Sequence, residues 1–253
     1  MKLLAKILGF LGLSSCAVQP PGEKLSKLAE QRPTDRRTEV SVLFIGNSYS
    51  FGVPQAFRKL SQSRGKSVKT GHSTFGGWTL EQHSAHEGTL KKLRQGNWDI
   101  VVIQDHSLHP GSTEGERKKV MDPCVKTFAD EARAIGAVPL LYQTWGRRDG
   151  DERIPGDDFY AMNERVRNGY RKASEFAGGV TIVPAGDAWE REYRAGRGRE
   201  LYQEDGSHPS AYGDEVTAKE FYRVIFGGRI LSNLTLQIML VRTSKSPCKA
   251  NHF

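Results

Sequence analysis

Cysteine is scarce in this 253-residue chain, which contains only Cys16, Cys124 and Cys248. Three cysteines without closely spaced pairs do not match the ligand spacing of a structural zinc site. In an oxidising compartment Cys124 and Cys248 could form a disulfide, and two free thiols fit the sequence equally well. The chain also lacks an apolar run of the roughly 20 residues that a membrane-spanning helix needs. We therefore expect neither a zinc site nor a membrane-spanning segment.

Acidic residues are too few to balance the basic ones. The chain has 37 Lys and Arg against 29 Asp and Glu, which gives a formal net charge of +8. The basic residues are densest at Arg147-Arg148 and within 191–199. They match no known nucleic-acid reader motif and do not alternate with aromatic residues on one face, so we expect no nucleic-acid binding. We interpret them as a solvated basic surface with a bias toward anionic polymers or lipid head groups.

The first fifteen residues follow the plan of a secretory signal. Lys2 and Lys6 supply the basic start, and a short apolar region covers 7–13. The tetrapeptide Leu13-Ser14-Ser15-Cys16 resembles a bacterial lipobox, in which the cysteine carries lipid and becomes the mature N-terminus. We interpret 1–15 as a lipoprotein-type signal peptide and expect a protein exported to the periplasm or cell surface and anchored to the membrane at Cys16. An ordinary cleaved signal or a short buried helix is the alternative.

The rest of the chain divides into a linker, a folded domain and a tail. Residues 16–39 are rich in Pro, Lys, Arg and Glu without an apolar period, which is typical of a linker. Residues 40–228 alternate short apolar strands with amphipathic helices, and 229–253 form a basic C-terminal tail. Strands that are apolar throughout predict an α/β domain with a parallel sheet covered by helices on both faces. The predicted strands are 40–45, 67–74, 99–104, 138–143 and 180–183, and the predicted helices are 53–64, 79–95, 114–135, 158–176, 188–194 and 211–226.

Reactive side chains follow the predicted strands, where open parallel sheets bind their ligands. A hydrolytic serine needs a histidine base within hydrogen-bond reach, a third group that orients this base, and donors for the oxyanion. Ser48 follows the first strand, and Asp205 and His208 lie three residues apart before the last helix. We therefore predict Ser48 as nucleophile, His208 as general base and Asp205 as the carboxylate that orients it.

Three motifs together resemble the motifs of the SGNH (GDSL-like) hydrolase superfamily. Ile45-Gly46-Asn47-Ser48-Tyr49-Ser50 resembles its first block, Gly77-Trp78-Thr79 its glycine block and Asp205-Gly206-Ser207-His208 its Asp-x-x-His block. The similarity covers about residues 40–227 and is closest to a branch of exported bacterial proteins with Gly-Asn-Ser, Gln-(Asp/Glu)-x-Ser and Asp-Gly-Ser-His-Pro.

The resemblance implies both a fold and a reaction. The fold is a three-layer α/β/α sandwich with a five-stranded parallel sheet in flavodoxin-like order. The reaction is hydrolysis of carboxylic esters through an acyl-enzyme, without cofactor or metal. The backbone N–H groups of Ser48 and Gly77 would bind the oxyanion. Many relatives remove small acyl groups from carbohydrates, so we expect a carbohydrate ester as substrate, while lipid and aryl esters stay open.

One family motif is missing. The usual Gly-x-Asn-Asp block, whose asparagine amide completes the oxyanion hole, is replaced by Gln104-Asp105-His106-Ser107. We predict that the Gln104 amide donates in its place, with His106 as the rival donor. The α/β-hydrolase elbow Gly-x-Ser-x-Gly is not matched, because residue 50 is serine.

Two other functions could use the same fold. The chain could be a non-catalytic glycan-binding module or a structural surface lipoprotein, and the presence of Ser48, Asp205 and His208 together argues against both. His83-x-x-His86 and His106-x-x-His109 have metal-ligand spacing but no third ligand, so we interpret the first pair as solvated. Trp78 and Trp145 follow site strands and could either line a sugar platform or pack in the core.

For the N-terminal anchor, we expect the wild-type protein expressed in a bacterium to fractionate with membranes and Cys16→Ala to be released. Several acyl chains anchor a protein stably, whereas one chain binds only marginally. Cys124→Ala keeps the lipobox and is the matched control, which should stay with the membranes. Equal distribution of wild type and Cys16→Ala between the two fractions would rule out the anchor.

Overall fold

A five-stranded parallel sheet lies at the centre of the structure, a computed structural model that describes residues 39–227. The order across the sheet is β2-β1-β3-β4-β5, which confirms the flavodoxin-like prediction. The signal peptide, Cys16, Cys248 and the tail after 228 lie outside the described residues, so the predictions on them stay predictions. The strands are β1 (Glu39–Gly46), β2 (Ser67–Thr74), β3 (Ile100–Ile103), β4 (Val138–Gln143) and β5 (Thr181–Pro184).

Helices cover both faces of the sheet. None of those in the described part of the chain is long and apolar enough to span a bilayer. Short 3-10 helices occur in addition at Ser48–Ser50 and Gly198–Leu201. The α-helices are α1 (Val53–Ser63), α2 (Leu80–Ala85), α3 (Glu87–Gln95), α4 (Glu114–Val120), α5 (Asp122–Ala134), α6 (Phe159–Phe176), α7 (Ala185–Arg194) and α8 (Ala211–Phe226).

Two helices predicted as continuous are interrupted. The predicted helix 79–95 is divided at His86, whose ring Nδ1 accepts the N–H of Thr89 at 3.2 Å and so caps α3. The predicted helix 114–135 is divided at Met121, because Pro123 in the first turn of α5 has no N–H to continue the helical hydrogen bonds. Both breaks turn the chain so that the second helix of each pair packs on the sheet.

The central strands contribute alternate side chains to two apolar cores. Phe44 and Tyr142 point toward the face covered by α1, α7 and α8, and the Phe44 ring lies 5.4 Å from that of Phe221. Ile45 and Ile103, which are paired in register, point toward α5 and α6 on the other face. Burial on both faces explains why these strands are apolar over most of their length instead of alternating.

The strand order creates a crevice at the carboxyl end of β1. β1 lies between β2 and β3, so the connections on its two sides leave in opposite directions, as at the ligand-binding switch points of open α/β sheets. Gly46 is in register with Thr74, and Ile45 with Ile103. The segments after β1, β2 and β3 therefore meet at one edge of the sheet.

A half-buried carboxyl group lies beside the turn that follows β1. Asp214, in the first turn of α8, packs so closely on Gly52 that a Cβ at Gly52 would lie 1.8 Å from Asp214 Oδ2. Asp214 Oδ1 is buried and has no hydrogen-bond partner among the described residues. Burial raises the pKa of Asp214 to about 7. Unfolded aspartate titrates near 3.9, so the folded protein retains this proton over a range where the unfolded chain has lost it.

Stability should therefore fall as the pH rises from about 4 to 7, and Asp214→Asn should remove this dependence. We expect the variant to gain about 1 to 2 kcal/mol over wild type by pH 8, allowing for the solvent that reaches the carboxylate. The measurement is urea unfolding across pH 4 to 9, with the exposed neighbour Glu215→Gln as control for loss of a negative charge. A difference between wild type and Asp214→Asn that is constant over this range would contradict the retained proton.

Candidate active site

The segment after β1 carries Ser48 on a tight turn. Gly46 ends the strand, Asn47 has an extended backbone, and the 3-10 helix Ser48–Ser50 follows. Asn47 Oδ1 accepts the N–H of Tyr49 at 3.1 Å, which caps this short helix. Asn47 and Tyr49 are buried and Ser48 is only half-buried, so solvent reaches the serine.

The side chain of Gln104 fixes this turn from the neighbouring strand. Gln104 directly follows β3 and is 1% exposed. Its Oε1 accepts the N–H of Asn47 at 2.8 Å and the hydroxyl of Ser50 at 3.0 Å. Its Nε2 donates to Asn47 Oδ1 at 2.9 Å and to the carbonyl of Asp105. Both N–H groups and the oxygen of the Gln104 amide are thus occupied within the turn.

Ser48, His208 and Asp205 form one hydrogen-bonded series. Ser48 Oγ lies 2.8 Å from His208 Nε2, and His208 Nδ1 lies 2.5 Å from Asp205 Oδ2. The serine and the histidine are 160 positions apart in the chain, so the fold creates this contact. With the Nδ1 proton donated to the carboxylate, Nε2 can accept the serine proton. This is the arrangement that a serine nucleophile requires.

Asp205 also shapes the loop that presents His208. Its Oδ1 accepts the N–H of Ser207 at 2.9 Å and of His208 at 3.0 Å, and Gly206 between them has a φ of +66°. Burial acts to raise the pKa of Asp205, but the hydrogen bonds from the His208 ring and from these two N–H groups outweigh it and lower the pKa. The carboxylate is therefore ionised beside the imidazole at neutral pH.

Aromatic side chains support this loop. Tyr49 Oη lies 2.5 Å from Ser207 Oγ, and Trp145 Nε1 donates to the Ser207 carbonyl at 3.1 Å. Trp145 is fully buried and stacks on Trp189 with ring centroids 3.6 Å apart. Trp145 is therefore a core residue, and the alternative that it lines a sugar platform is wrong.

The segment after β2 contacts the nucleophile turn at two points. The N–H of Phe75 donates to the Gly46 carbonyl at 3.2 Å, and Asn47 Nδ2 donates to the Trp78 carbonyl at 3.2 Å. Gly77 has a φ of +72°, a conformation that favours glycine. Within residues 39–227, no protein group accepts the N–H of Gly77 or of Ser48. Both groups are free to bind a ligand oxygen.

A buried histidine joins the same segments. His83 has no exposed surface, its Nε2 lies 2.9 Å from the Gly46 carbonyl, and its Nδ1 lies 3.1 Å from Thr89 Oγ1. Burial lowers the pKa of His83, so the ring is neutral, and Nε2 donates because a carbonyl can only accept. The prediction that His83 is solvated is wrong, since this side of α2 faces the end of β1. The signal was present in the sequence only as a histidine at helical spacing from Leu80.

His106, the alternative oxyanion donor, has a different environment from Gln104. Its Nδ1 accepts the N–H of Leu108 at 3.4 Å. Burial and the neighbouring His109 lower the pKa of His106. The ring is therefore neutral with its proton on Nε2, and no protein group of the described residues accepts that proton. His106 has a free side-chain donor, whereas Gln104 has none.

Nothing within residues 39–227 is arranged to hold a metal ion through three or more His, Cys, Asp or Glu side chains. Cys124 is a half-buried free thiol whose pKa burial raises to about 11, so it is protonated and unreactive at neutral pH.

An exposed aromatic surface borders the nucleophile on the β2 side. Phe75 is 36% exposed, and its ring centroid lies 4.2 Å from that of the half-buried Trp78.

Solved structures share this fold at low sequence identity. A DUF4886 family protein from Bacteroides uniformis is 18% identical, with a TM-score of 0.66 over 83% of this chain and 97% of its own. A catalytic mutant of the acetylxylan esterase Axe2 from Geobacillus stearothermophilus is 16% identical, with a TM-score of 0.55 over 73% of this chain and 93% of its own. A lipase/acylhydrolase from Enterococcus faecalis is 17% identical, with a TM-score of 0.53 over 74% of this chain and 96% of its own. The chain therefore has the SGNH hydrolase fold.

Sequence comparisons add little to this result. No family model matches the chain. A match to the DNA mismatch repair protein MutL of Rippkaea orientalis is 23% identical over 150 residues, which are 56% of this chain. The chain spans about a quarter of that protein's length, since the match covers 25% of it. This match assigns no activity to the chain.

The buried histidine gives a stability prediction. We expect His83→Leu to lower the free energy of unfolding by about 1 to 3 kcal/mol, because the Gly46 carbonyl and the Thr89 hydroxyl lose a buried partner. The matched control is His72→Leu on the edge strand β2, which is exposed and should cost less than about 0.5 kcal/mol. Urea unfolding at neutral pH makes the comparison. Equal losses in the two variants would contradict the structural importance of His83.

Proposed function

We propose that this protein is a serine hydrolase that cleaves carboxylic esters through an acyl-enzyme. The observation that carries the proposal is the series Ser48 Oγ, His208 Nε2, His208 Nδ1 and Asp205 Oδ2, joined at 2.8 and 2.5 Å. Its position at the carboxyl end of β1 and the ester hydrolases among its structural relatives support the same function.

Acylation begins at Ser48. His208 Nε2 takes the hydroxyl proton as Oγ attacks the acyl carbon of the ester, and the Asp205 carboxylate stabilises the resulting imidazolium. The N–H groups of Ser48 and Gly77 bind the negative charge that develops on the carbonyl oxygen. His208 then gives its proton to the alcohol oxygen, and the C–O bond between this oxygen and the acyl carbon breaks. The alcohol departs, and the acyl group remains bound to Ser48 as an ester.

Deacylation repeats these steps with water. His208 removes a proton from a water molecule, and the hydroxide oxygen attacks the acyl carbon of the Ser48 ester. The tetrahedral intermediate uses the same two N–H donors. When it collapses, His208 returns the proton to Ser48 Oγ and the carboxylic acid is released. Apart from the ester and one water molecule, the cycle uses only the side chains and backbone groups named here.

The third oxyanion donor is a side chain from the end of β3. Gln104, the choice made from the sequence, would have to give up its bond to Asn47 or to the Asp105 carbonyl. His106 carries a proton on Nε2 without such a cost, so we favour His106 as donor and Gln104 as the residue that positions the turn.

The substrate that we propose is a small acyl ester of a carbohydrate. The exposed Phe75 ring and the half-buried Trp78 ring beside Ser48 offer the apolar surface on which sugar rings stack. The Axe2 relative is named as an acetylxylan esterase. Export and lipidation at Cys16 stay part of the proposal, because glycan esters outside the cell would then be within reach. A non-catalytic glycan-binding role is the alternative, and the series of short hydrogen bonds at Ser48 argues against it.

The nucleophile is tested with Ser48→Ala. We expect this variant to fold as wild type and to lose about a thousandfold or more of the kcat for 4-nitrophenyl acetate. A serine-directed phosphonate should label Ser48 in the wild type, as located by peptide mass spectrometry. The exposed Ser63 on α1 gives the control variant Ser63→Ala, which should retain both activity and labelling. Labelling at Ser50 or Ser207 instead would reject Ser48 as nucleophile.

The third donor is tested by comparing His106→Ala with Gln104→Ala. Loss of an oxyanion donor typically lowers kcat about a hundred- to a thousandfold, and we expect this for His106→Ala with Tm unchanged. Gln104→Ala should lower Tm as well as kcat, because it leaves buried groups of Asn47 and Ser50 without partners. The opposite result would assign the donor role to Gln104: a kcat near wild type in His106→Ala, and a strongly lowered kcat with an unchanged Tm in Gln104→Ala.

A further inference from the structure

Arg147 is a half-buried arginine without an acidic partner. It follows β4 at the carboxyl edge of the sheet, and its Nη2 donates to Ser107 Oγ at 3.3 Å. Its Nε is buried and has no hydrogen-bond partner among residues 39–227. The neighbouring Arg148 and Arg153 instead form ion pairs with Asp149 and Asp151 at 2.9 and 2.7 Å.

This lack of a partner distinguishes Arg147 from the other arginines of the described chain. Arg58, Arg64 and Arg199 also form no ion pair there, but all three are exposed and hydrated. The charge of Asp151 acts on Arg147 only at longer range, because that carboxylate pairs with Arg153 at 2.7 Å. A cation that is withdrawn from water without a directly paired counter-charge is costly. Where such a group is retained beside a reactive centre, a ligand that brings the missing negative charge is the simplest compensation.

The position of Arg147 connects it to the nucleophile crevice. The N–H of Arg148 donates to the Gly206 carbonyl at 2.8 Å, so this stretch runs along the loop that presents His208. Ser107, which Arg147 contacts, belongs to the segment after β3, the strand next to β1. Arg147 therefore lies on the β3–β4 side of the crevice, opposite the Phe75 and Trp78 rings on the β2 side.

A second basic group lies on the same side. His109 Nδ1 is 3.0 Å from Oδ2 of the fully buried Asp105. Burial acts to lower the pKa of His109, but the hydrogen bond and the charge of Asp105 outweigh it and raise the pKa. The ring centroids of His109 and His106 lie 5.5 Å apart. Arg147 contacts the same segment through Ser107. The crevice thus has one aromatic side and one basic side.

We propose that Arg147, with His109 beside it, forms a subsite for a carboxylate on the substrate, so that the preferred esters carry a negative charge near the scissile bond. This inference rests on the proposed ester hydrolysis at Ser48. The carboxylate could belong to the acyl group, as in a dicarboxylic acid half-ester, or to the alcohol, as in an acylated uronic acid. Guanidinium groups pair strongly with carboxylates through charge-assisted hydrogen bonds, which fits either source.

The test compares matched anionic and neutral esters in two arms. The acyl arm uses the mono-4-nitrophenyl ester of succinic acid against 4-nitrophenyl butyrate, and the alcohol arm uses acetylated methyl glucuronoside against acetylated methyl glucoside. We expect wild type to have the higher kcat/KM for the anionic ester in one arm, which identifies the source. Arg147→Gln should lower this anionic-to-neutral ratio roughly 10- to 100-fold. Arg58→Gln, which removes an exposed charge on α1 that forms no ion pair among the described residues, is the matched control and should leave the ratio unchanged.

A binding measurement separates this subsite from the activity itself. Calorimetric titration of the Ser48→Ala protein with the same four esters should show tighter binding of the anionic member, lost when Arg147→Gln is added. Ester turnover without an anionic preference in either arm, or with a preference that Arg147→Gln leaves intact, would overturn the subsite while the hydrolase proposal stands. Tighter anionic binding that depends on Arg147, in a wild-type protein that turns over none of the esters, would support the subsite and reject the hydrolase proposal.

Discussion

The amide of Gln104 holds the two central strand ends together, and the rest of the site depends on this bond set. Its oxygen receives the Asn47 N–H and the Ser50 hydroxyl, and its nitrogen donates to Asn47 Oδ1 and the Asp105 carbonyl. A Cβ at Gly46 would lie 2.3 Å from this oxygen, so the glycine before the turn is a condition for the amide to approach. With Asn47 fixed in this way, Ser48 is the residue of the turn that faces solvent and the histidine base. The nucleophile is thus positioned by buried neutral hydrogen bonds rather than by charges.

The turn that Gln104 fixes lies between two sides of the crevice that differ in chemistry. On the β2 side, Phe75 and Trp78 present two rings in contact, tilted by 33° to each other. On the β3–β4 side lie the Arg147 guanidinium and the His109 ring, which pairs with Asp105. The reacting groups themselves are open, since the side chains of His208 and Asp205 are 37% and 47% exposed. An open triad between an aromatic and a basic side of the crevice suits a polar ester that lies across the sheet edge, and suits a long apolar chain poorly. The net charge of +8 indicated a surface that attracts anions, and the proposed carboxylate subsite at Arg147 is one specific place where it would do so.

Much of the fold follows from the sequence because strands that are buried on both faces are apolar over most of their length. The predicted strand 138–143 coincides with the buried strand β4, and the predicted bounds 67–74 also match the half-exposed edge strand β2. The positions of Ser48, Asp205 and His208 at predicted strand ends, together with the resemblance to the SGNH motifs, predicted that they meet. The breaks at His86 and Met121 were missed, because a side-chain cap and a proline in an otherwise helical pattern do not alter apolar periodicity. The hydrogen bonds of Gln104 to the nucleophile turn were not foreseen for a different reason: its partner Asn47 lies 57 positions away, and a local sequence pattern does not indicate such a contact. The burial of His83 and Trp145 likewise could not be predicted, because it depends on which side of each segment faces the sheet edge.

The central claim is that Ser48 carries the acyl group during turnover, and the most direct measurement is rapid acid quench of the protein mixed with 4-nitrophenyl acetate, followed by peptide mass spectrometry. The account predicts a burst of 4-nitrophenol of up to one equivalent per protein wherever deacylation is the slower step. It also predicts one acetyl group on the peptide that contains Ser48 in the wild type, and none on the corresponding peptide of Ser48→Ala. Hydrolysis of the ester by the wild type at a normal rate, with no acetyl group on Ser48 at any quench time, would contradict the account.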